Sequence, residues 1–275
     1  LVLSWGGHEF PWASLPVIGG ATTAAVLTGL FIWRQRAAAE PLVPLGVLSQ
    51  PIVRVTSLSL FLLMLSNISV GVYTPLYFEL YAGQPASRAG LLLIGLVVCA
   101  VTGSYLSAQY MRRTGRYKPP PRIGLLVSAA GMLGIAGGLA HLPPVGIALL
   151  LGVVGFGMGL TIPMYTIATQ NAVNFKDLGI ATAGLSFFRA LGGTLGVSLF
   201  GAVILALLPR APGARVSLEE VAALAATSGQ AEQVALAFRA FYGGCAVMIL
   251  GAWVLVQFLP EIPLRTQVAH QAEAE

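Results

Sequence analysis

DLGIATAGLSFFRALGGTLGVSLFGAVILALL, residues 177–208, determines the class of structure that this chain adopts. The stretch is almost continuously apolar and exceeds the roughly twenty residues that an α-helix needs to cross a bilayer. One full charge, Arg189, lies well inside it, and a guanidinium stays protonated and enters hydrocarbon only with a partner or in a wet cavity. At about 100° per residue, one side of the helix collects polar residues and then glycines: Thr182, Ser186, Arg189, Gly192, Gly193 and Gly196. Bare backbone lets a neighbouring helix come close, so we expect this side to face protein and not lipid.

The composition indicates an α-helical integral membrane protein. Of the 275 residues, 56% are hydrophobic and 9% are charged, against about 25% charged in a typical soluble domain. The apolar runs are continuous and do not alternate as the strands of a barrel would. We therefore predict an all-α fold with seven transmembrane helices, at residues 15–33, 52–78, 89–110, 123–139, 145–170, 177–208 and 236–259.

Positive charge is unevenly distributed between the loops on the two sides of these spans. The loops after spans one, three and five, together with the C-terminus, hold ten Lys and Arg residues, and the other loops hold four. The positive-inside rule makes the richer side cytoplasmic, which predicts a cytoplasmic C-terminus and an extracytoplasmic N-terminus. No signal segment precedes the first span, and an outer N-terminus then requires an earlier span. We therefore expect the chain to be the second half of a longer polytopic protein.

Several short motifs, taken in order, resemble one known family. They are PLVPL at 41–45, YTPLY at 73–77, RTGRYK at 113–118, GFGMGL at 155–160, QNA at 170–172, GIATA at 179–183 and FRALGGTLG at 188–196. Each motif alone is weak. In this order and spacing, over nearly the whole chain, they resemble the major facilitator superfamily, specifically its fourteen-helix drug:proton antiporters of the EmrB/QacA type. The motifs are silent on the substrate.

The resemblance implies three parts in the chain. Residues 1–50 would carry an extra transmembrane linker helix with flanking loops, residues 51–260 the C-terminal six-helix bundle, and residues 261–275 a cytoplasmic tail. It also implies an N-terminal half, missing from this sequence, which in the family usually carries the main proton-titrating carboxylate. In that arrangement, the side of the 177–208 helix that bears Arg189 looks inward upon the second bundle.

The function implied by the resemblance is proton-coupled efflux of small amphipathic compounds by alternating access, with two six-helix halves rocking about a central site. Such a protein is a multi-pass component of a bacterial inner membrane and not an enzyme. Its partners are the lipid bilayer, the missing N-terminal half and a small-molecule substrate, with no nucleic acid. The proton gradient supplies the energy without a cofactor. Cys99 and Cys245 lie in apolar runs, and no metal-binding pattern is present.

Other functions compete with this interpretation. An exporter of a sugar, a peptide or a siderophore could carry the same half unchanged. A membrane-embedded enzyme is suggested by GLSF at 184–187, but the glycine that intramembrane serine proteases need after serine is absent, as are a metalloprotease motif, a P-loop and paired carboxylates. A seven-helix receptor matches only the number of spans, and the last span has no lysine for a retinal Schiff base.

Six residues are candidates for a substrate or ion pathway: Arg189, Asn67, Glu79, Gln170, Phe187 and Phe188. Arg189 would face the central cavity, or would be a structural arginine that bonds backbone carbonyls or snorkels to the surface. The amides Asn67 and Gln170 would face substrate or form interhelical hydrogen bonds. Glu79 would gate proton release if partly buried, or would simply be solvated. Phe187 and Phe188 would give the cavity an apolar wall.

A basic loop consists of Arg112, Arg113, Gly115, Arg116 and Lys118. It anchors the topology and, by resemblance, would hold the cytoplasmic helix ends together. Arg112 stands where the superfamily's loop motif has an Asp, and Ala108 replaces its leading glycine, so a charge lock that needs this acid is not expected here. The remaining candidates would serve helix packing or hinges: Gly155, Gly157, Gly159, Pro163, Gly192, Gly193 and Gly196.

Overall fold

The computed structural model describes residues 14–37, 50–207 and 231–263 of the chain. Within these ranges the chain forms seven α-helices, one short 3-10 turn and no strand. The helices are α1 (Leu15–Ala37), α2 (Pro51–Leu80), α3 (Ala86–Thr114), α4 (Pro119–Gly138), α5 (Pro144–Ala172), α6 (Leu178–Leu207) and α7 (Ala231–Gln257), and the turn is Phe175–Asp177.

Six of these helices, α2 to α7, are long and apolar enough to cross a membrane. The apolar part of α1 is shorter, Leu15–Leu30, and large α1 side chains such as Leu27 and Trp33 are exposed. Each predicted span coincides with one helix, and the observed ends lie within five residues of the predicted ones. The all-α membrane fold is therefore confirmed. The division into linker, bundle and tail stays a prediction, and much of the linker and nearly all of the tail lie outside the described residues.

Prolines and one glycine set several helix ends. The first residues of α2, α4 and α5 are prolines, whose missing N–H is no loss at the first helical position. α3 ends at Gly115, which takes a left-handed φ of 66° and donates its N–H to Met111 O. Pro75 and Pro163 lie inside α2 and α5. Prolines are tolerated inside spans because neighbouring groups can satisfy the backbone groups that they free.

The long helices pack as one bundle built from two groups of three. α2, α6 and α7 pack on one another, α5 packs between α3 and α4, and the groups meet where α7 lies on α4 and α2 lies on α5. Glycines let α5 come close to both neighbours. Gly155 and Gly159 lie against carbonyl oxygens of α3, and Gly157 lies against Gly124 O of α4. A Cβ at any of these positions would overlap the neighbouring backbone, so these contacts require glycine.

Candidate functional site

Hydrogen bonds of polar side chains connect α2 to α5 and α7. The Tyr165 and Ser59 hydroxyls lie 2.8 Å apart, and Ser59 Oγ donates to Ala252 O of α7 at 3.1 Å. Further along α2, the half-buried Asn67 donates from Nδ2 to Met158 Sδ at 3.0 Å. Asn67 therefore makes an interhelical bond, but to a thioether, which is a weak acceptor. Nothing in the described ranges donates to its carbonyl oxygen, so that oxygen can accept a bond from a further group.

The glycines of α6 lie against α2 of the same bundle. A Cβ built on Gly192 would lie 2.5 Å from Phe61 O, and one on Gly196 would overlap Leu65 O. Gly192, Gly193 and Gly196 are all buried. The expectation that this part of α6 looks upon a second bundle was therefore wrong. Carbonyls of α2 occupy the space beside Gly192 and Gly196, and the Ile68 side chain occupies the space beside Gly193.

Arg189 lies at the edge of the uncovered face of α6. It is exposed, as are Ser186, Phe187 and Ala190. At 100° per residue, Arg189 and Phe187 are about 160° apart, with the other two between them. The Phe187 ring is 60% exposed and meets the half-buried Phe188 edge to face, with 5.7 Å between the ring centroids. We call the surface from Arg189 to Phe187 the α6 arc; it combines a cation, a hydroxyl, a small residue and an aromatic ring.

The Arg189 guanidinium has no partner among the residues that the structure describes. The neighbouring hydroxyls are turned back on their own helix: Thr182 Oγ1 donates to Leu178 O at 2.8 Å, and Ser186 Oγ donates to Thr182 O at 3.1 Å. The alternative in which Arg189 bonds carbonyls of its own bundle is therefore not seen in this part of the chain. A cation inside a span needs a partner or water, so the charge is available to a group from outside the described bundle.

The contacts of α6 with α2 indicate the height of Arg189 in the bundle. Because Gly192 faces Phe61, Arg189 lies about one turn nearer the basic loop, roughly level with Leu58. Asn67 is nine residues further along α2, which is about 14 Å along the axis. The structure therefore places Asn67 and Arg189 on adjoining helices, but at different depths.

The two remaining polar candidates lie toward opposite ends of the bundle. Thr56 Oγ1 and Thr169 Oγ1 are 2.7 Å apart, so the exposed Gln170 lies within about one turn of the level of Arg189. The exposed Glu79 is near the far end of α2, roughly 30 Å from that level at 1.5 Å per residue. Gln170 can contribute to the same site as Arg189, whereas Glu79 cannot reach it.

The exposed side chains of α3 differ in chemistry from the α6 arc. The exposed large hydrophobic side chains on α3 are mostly aliphatic: Leu91, Ile94, Val97, Val98, Val101 and Leu106, with Tyr105 and Tyr110 toward the basic loop. Such a surface is compatible with lipid tails or with an apolar partner. The α6 arc includes a full charge, and charges within spans almost always face a bundle interior or a water-filled cavity.

Tyr117 organises the end of the bundle that carries the basic loop. Its side chain is fully buried, and its hydroxyl donates to Pro260 O at 2.7 Å and accepts from the Ile262 N–H at 2.9 Å. Burial raises the pKa of Tyr117 above its ordinary value, so the hydroxyl remains a donor at neutral pH. The phenol therefore satisfies both a carbonyl and an amide of the segment that follows α7.

A second contact holds the same segment. Asn171, at the end of α5, donates from Nδ2 to Pro263 O at 3.0 Å. We call residues 259–263 the strap, since they connect the end of α7 to the α3–α4 loop and to α5. Sequence reasoning missed this role of Tyr117, although the residue belongs to the RTGRYK motif. A tyrosine between basic residues gives no sign that its ring is buried.

The cations of the basic loop are mostly exposed. Arg112, Arg113 and Arg116 are exposed, and Lys118 is half-buried. No acid in the described ranges forms an ion pair with any of them. The loop itself turns at Gly115, in the left-handed conformation that glycine adopts without strain.

Aromatic rings pack at the end of the bundle opposite the basic loop, near Glu79. Tyr77 packs edge to face on Phe238 with 5.2 Å between centroids, and Tyr73 packs similarly on Phe241 at 5.6 Å. Tyr73 also donates from its hydroxyl to Val197 O at 2.7 Å. These contacts join α2, α6 and α7 at the end opposite the basic loop.

A small pocket lies at the start of α7, lined by Glu232, Gln233, Leu236 and Arg239. Its volume is about 230 Å³, below the roughly 300–1,000 Å³ typical of small-molecule sites, and it lies at the aromatic end. In the described residues, no group of three or more His, Cys, Asp or Glu side chains could hold a metal ion. The exposed residues of the α6 arc, with Gln170 near the level of Arg189, remain the candidate site.

Comparisons with known proteins agree on one family. The profile of the Major Facilitator Superfamily matches residues 1–197. An uncharacterized MFS-type transporter of Mycobacterium tuberculosis is 30% identical over 217 residues, which cover 79% of this chain and 32% of that protein. The multidrug transporter protein MdtP of Bacillus subtilis is 27% identical over 74% of this chain and 38% of its own length, and the multidrug resistance protein fnx1 of Schizosaccharomyces pombe is 30% identical over 76% and 40%. The chain thus spans between about a third and two fifths of these relatives.

Proposed function

The chain belongs to the major facilitator superfamily, and on that premise we propose that it forms the C-terminal half of a proton-coupled exporter of small amphipathic compounds. Family membership indicates a transporter and not an enzyme. Six apolar helices long enough to cross a bilayer make it a multi-pass membrane protein. The efflux function is supported by relatives whose names describe multidrug transport or resistance.

The observation that carries the proposal is the α6 arc. A guanidinium that pairs with no described residue lies inside a span, on the same uncovered arc as a small residue and, at the other edge, an exposed phenylalanine. A bilayer does not accept such a surface, but a wet cavity between two helical bundles does, and its mixed character suits amphipathic cargo. We therefore assign the arc to the wall of the central pathway, with Gln170 near its level. Deeper in the bundle lies the Asn67 carbonyl, which accepts no hydrogen bond from a described residue.

Arg189 acts through a fixed charge. A guanidinium does not titrate in proteins, so it cannot carry the transported proton. It can attract an acidic group of the other bundle or of the substrate, and protonation of that acid would then release it. Because α6 is held to α2 by glycine contacts, the arc moves with the bundle when the two halves rock.

The orientation follows from the basic loop. Positive charge is retained on the cytoplasmic side of membrane proteins, so we propose that Arg112 to Lys118 and the strap are cytoplasmic and that Glu79 is extracytoplasmic. Cysteines introduced at positions 113 and 79 in membrane vesicles of known sidedness would test this. The proposal fails if an impermeant thiol reagent reaches position 113 from the outside.

Transport by the full-length protein in proteoliposomes tests the role of Arg189. Efflux of ethidium, and separately of an anionic fluorescent dye, is measured under an imposed pH gradient with and without an uncoupler. Arg189→Ala is expected to lower the coupled rate about tenfold or more, as removal of one partner of a desolvated charge pair costs 2 kcal/mol or more. Arg189→Lys, which keeps the charge and loses the planar fork, should retain part of the rate.

Arg88→Ala is the matched control, since it removes an exposed arginine at the start of α3. It should transport as the wild type does. If folded Arg189→Ala protein transports at the wild-type rate, or if Arg88→Ala loses as much, the assignment of the arc to the pathway is wrong. An uncoupler without effect on wild-type efflux would refute proton coupling alone.

A further inference from the structure

Two cations lie close together at the start of α4. Lys118 is the residue before the helix and Arg122 is four residues later, so they lie on the same side one turn apart. Both side chains are half-buried. We call these two residues the cation pair. The pair is distinct from the exposed arginines of the basic loop and from the α6 arc, which lies in the interior of a span.

The electrostatics of the cation pair are unfavourable without an added anion. Like charges four residues apart on a helix repel, and the N-terminus of a helix disfavours positive charge. Burial and the neighbouring Arg122 together lower the pKa of Lys118, and Glu261 of the strap opposes this only in part. Glu261 is itself exposed. The described residues therefore leave part of the positive charge uncompensated.

Arg122 also has a donor without an acceptor. Its Nε is buried and makes no hydrogen bond to any described residue. The three residues between the cations, 119–121, are prolines, which have no N–H to offer an anion. Any anion at this position is therefore recognised by the two side chains and not by the helix N-terminus.

An apolar track continues from the cation pair into the membrane span. Leu126 and Leu133 lie four and eleven residues after Arg122, on the same side of α4. They are exposed, at 45% and 51%. One molecule with a phosphate and a hydrocarbon chain could place the phosphate at the cation pair and the chain along these leucines. A phospholipid has both groups.

We propose that the cation pair binds the phosphate of an anionic phospholipid whose acyl chain lies along Leu126 and Leu133. The position fits, since α3 ends at Thr114 and α4 begins at Pro119, so the pair lies at the level where headgroups meet the spans. Lys and Arg residues next to the end of a span attract anionic headgroups. The site does not depend on the transport function, and binding and transport are measured separately.

The test is lipid binding to the full-length protein in neutral detergent, followed by native mass spectrometry. The probes are phosphatidylglycerol, phosphatidylcholine and inorganic phosphate. The double variant Lys118→Gln/Arg122→Gln should weaken phosphatidylglycerol binding by more than tenfold, since each cation contributes about fivefold. The control Arg112→Gln/Arg113→Gln removes the same charge from the exposed loop and should weaken it by about twofold or less. Arg122→Lys, which keeps the charge, should give an intermediate affinity and guards against misfolding of the double variant.

Three results would overturn the proposal. Equal losses in the double variant and in its control would show attraction to the general surface charge. Full competition by inorganic phosphate would show a free-anion site and not a lipid site. Wild-type protein that binds phosphatidylglycerol no better than phosphatidylcholine would show that the cation pair is neutralised by another group of the protein.

Discussion

Gly196→Ala tests whether α6 and α2 are held together by direct backbone contact. A Cβ on Gly196 would overlap Leu65 O and lie 2.6 Å from Leu65 Cα, whereas ordinary contacts begin near 3.4 Å. The atoms of α2 that this Cβ would meet belong to the backbone, so the helices must separate by nearly 1 Å. Overpacking of this kind costs about 1–3 kcal/mol, and alanine recovers up to about 1 kcal/mol of helix propensity over glycine. Because backbone atoms cannot rotate away, the cost lies in the upper part of this range, about 2–3 kcal/mol, and we expect a net loss of about 1–2 kcal/mol in the free energy of unfolding.

The assay is reversible unfolding of the full-length protein in mixed micelles, followed by circular dichroism. Gly243→Ala is the matched control, because a Cβ at Gly243 in α7 meets nothing within 4 Å. That variant should be as stable as the wild type, or more stable by up to about 1 kcal/mol. The packing argument is refuted if Gly196→Ala is as stable as the wild type, or if both variants lose the same free energy.

Three further outcomes follow from the described contacts. Tyr117→Phe removes two hydrogen bonds to the strap and should destabilise the protein by about 1–3 kcal/mol, with faster hydrogen exchange at the Ile262 amide. Tyr110→Phe, whose exposed ring makes no such bonds, is the control. An unchanged exchange rate in Tyr117→Phe would contradict the role of Tyr117 in holding the strap. Ser59→Ala should lower the free energy of unfolding by about 0.6–1.7 kcal/mol, the range found for interhelical bonds in membranes, and no loss would mean that this bond is energetically neutral. Glu79→Gln should change the pH-driven transport rate by less than about twofold, because an exposed carboxylate interacts only weakly with other charges. A larger loss would show that Glu79 belongs to the proton pathway.

The helices themselves could be predicted from the sequence because the bilayer imposes a simple rule. Every span must be an apolar helix of about twenty residues, and prolines such as Pro119 and Pro144 mark where helices begin. The hydrophobic pattern therefore located the seven helices of the described ranges. It could not show which helices pack together. Most spans are apolar on all sides, so their sequence does not distinguish the side that contacts another helix from the side that contacts lipid.

The sequence indicated which residues are candidates for the site, but not how they are arranged. Arg189 was conspicuous because a charge inside a span is rare. The helical period placed Arg189 on one side of α6 with Gly192 and Gly196. In the structure these glycines pack against α2, whereas the arginine is exposed. Arg189 is only about 20–60° away from these glycines around the helix, so the helical period alone does not separate the buried positions from the exposed one.

The strap and the cation pair depend on contacts between residues distant in sequence. Tyr117 and Pro260 are 143 residues apart, and no local pattern connects them. Lys118 and Arg122 are close in sequence, but a basic stretch after a span is the ordinary sign of topology. Their burial, and the absence of an acceptor for Arg122 Nε among the described residues, distinguish them from the exposed arginines.

The most direct test of the central claim is the solvent accessibility of the α6 arc. In full-length protein with Cys99 and Cys245 replaced by alanine, a single cysteine is placed at Ala190, beside Arg189, or at Val247, an exposed position on α7. Hydrophilic thiol reagents react with the thiolate, which forms in water and not in hydrocarbon. The account predicts that Ala190→Cys reacts on the order of tenfold faster or more than Val247→Cys, and that a transported substrate slows it. Equal, slow reaction at both positions would place Arg189 against lipid and contradict the account.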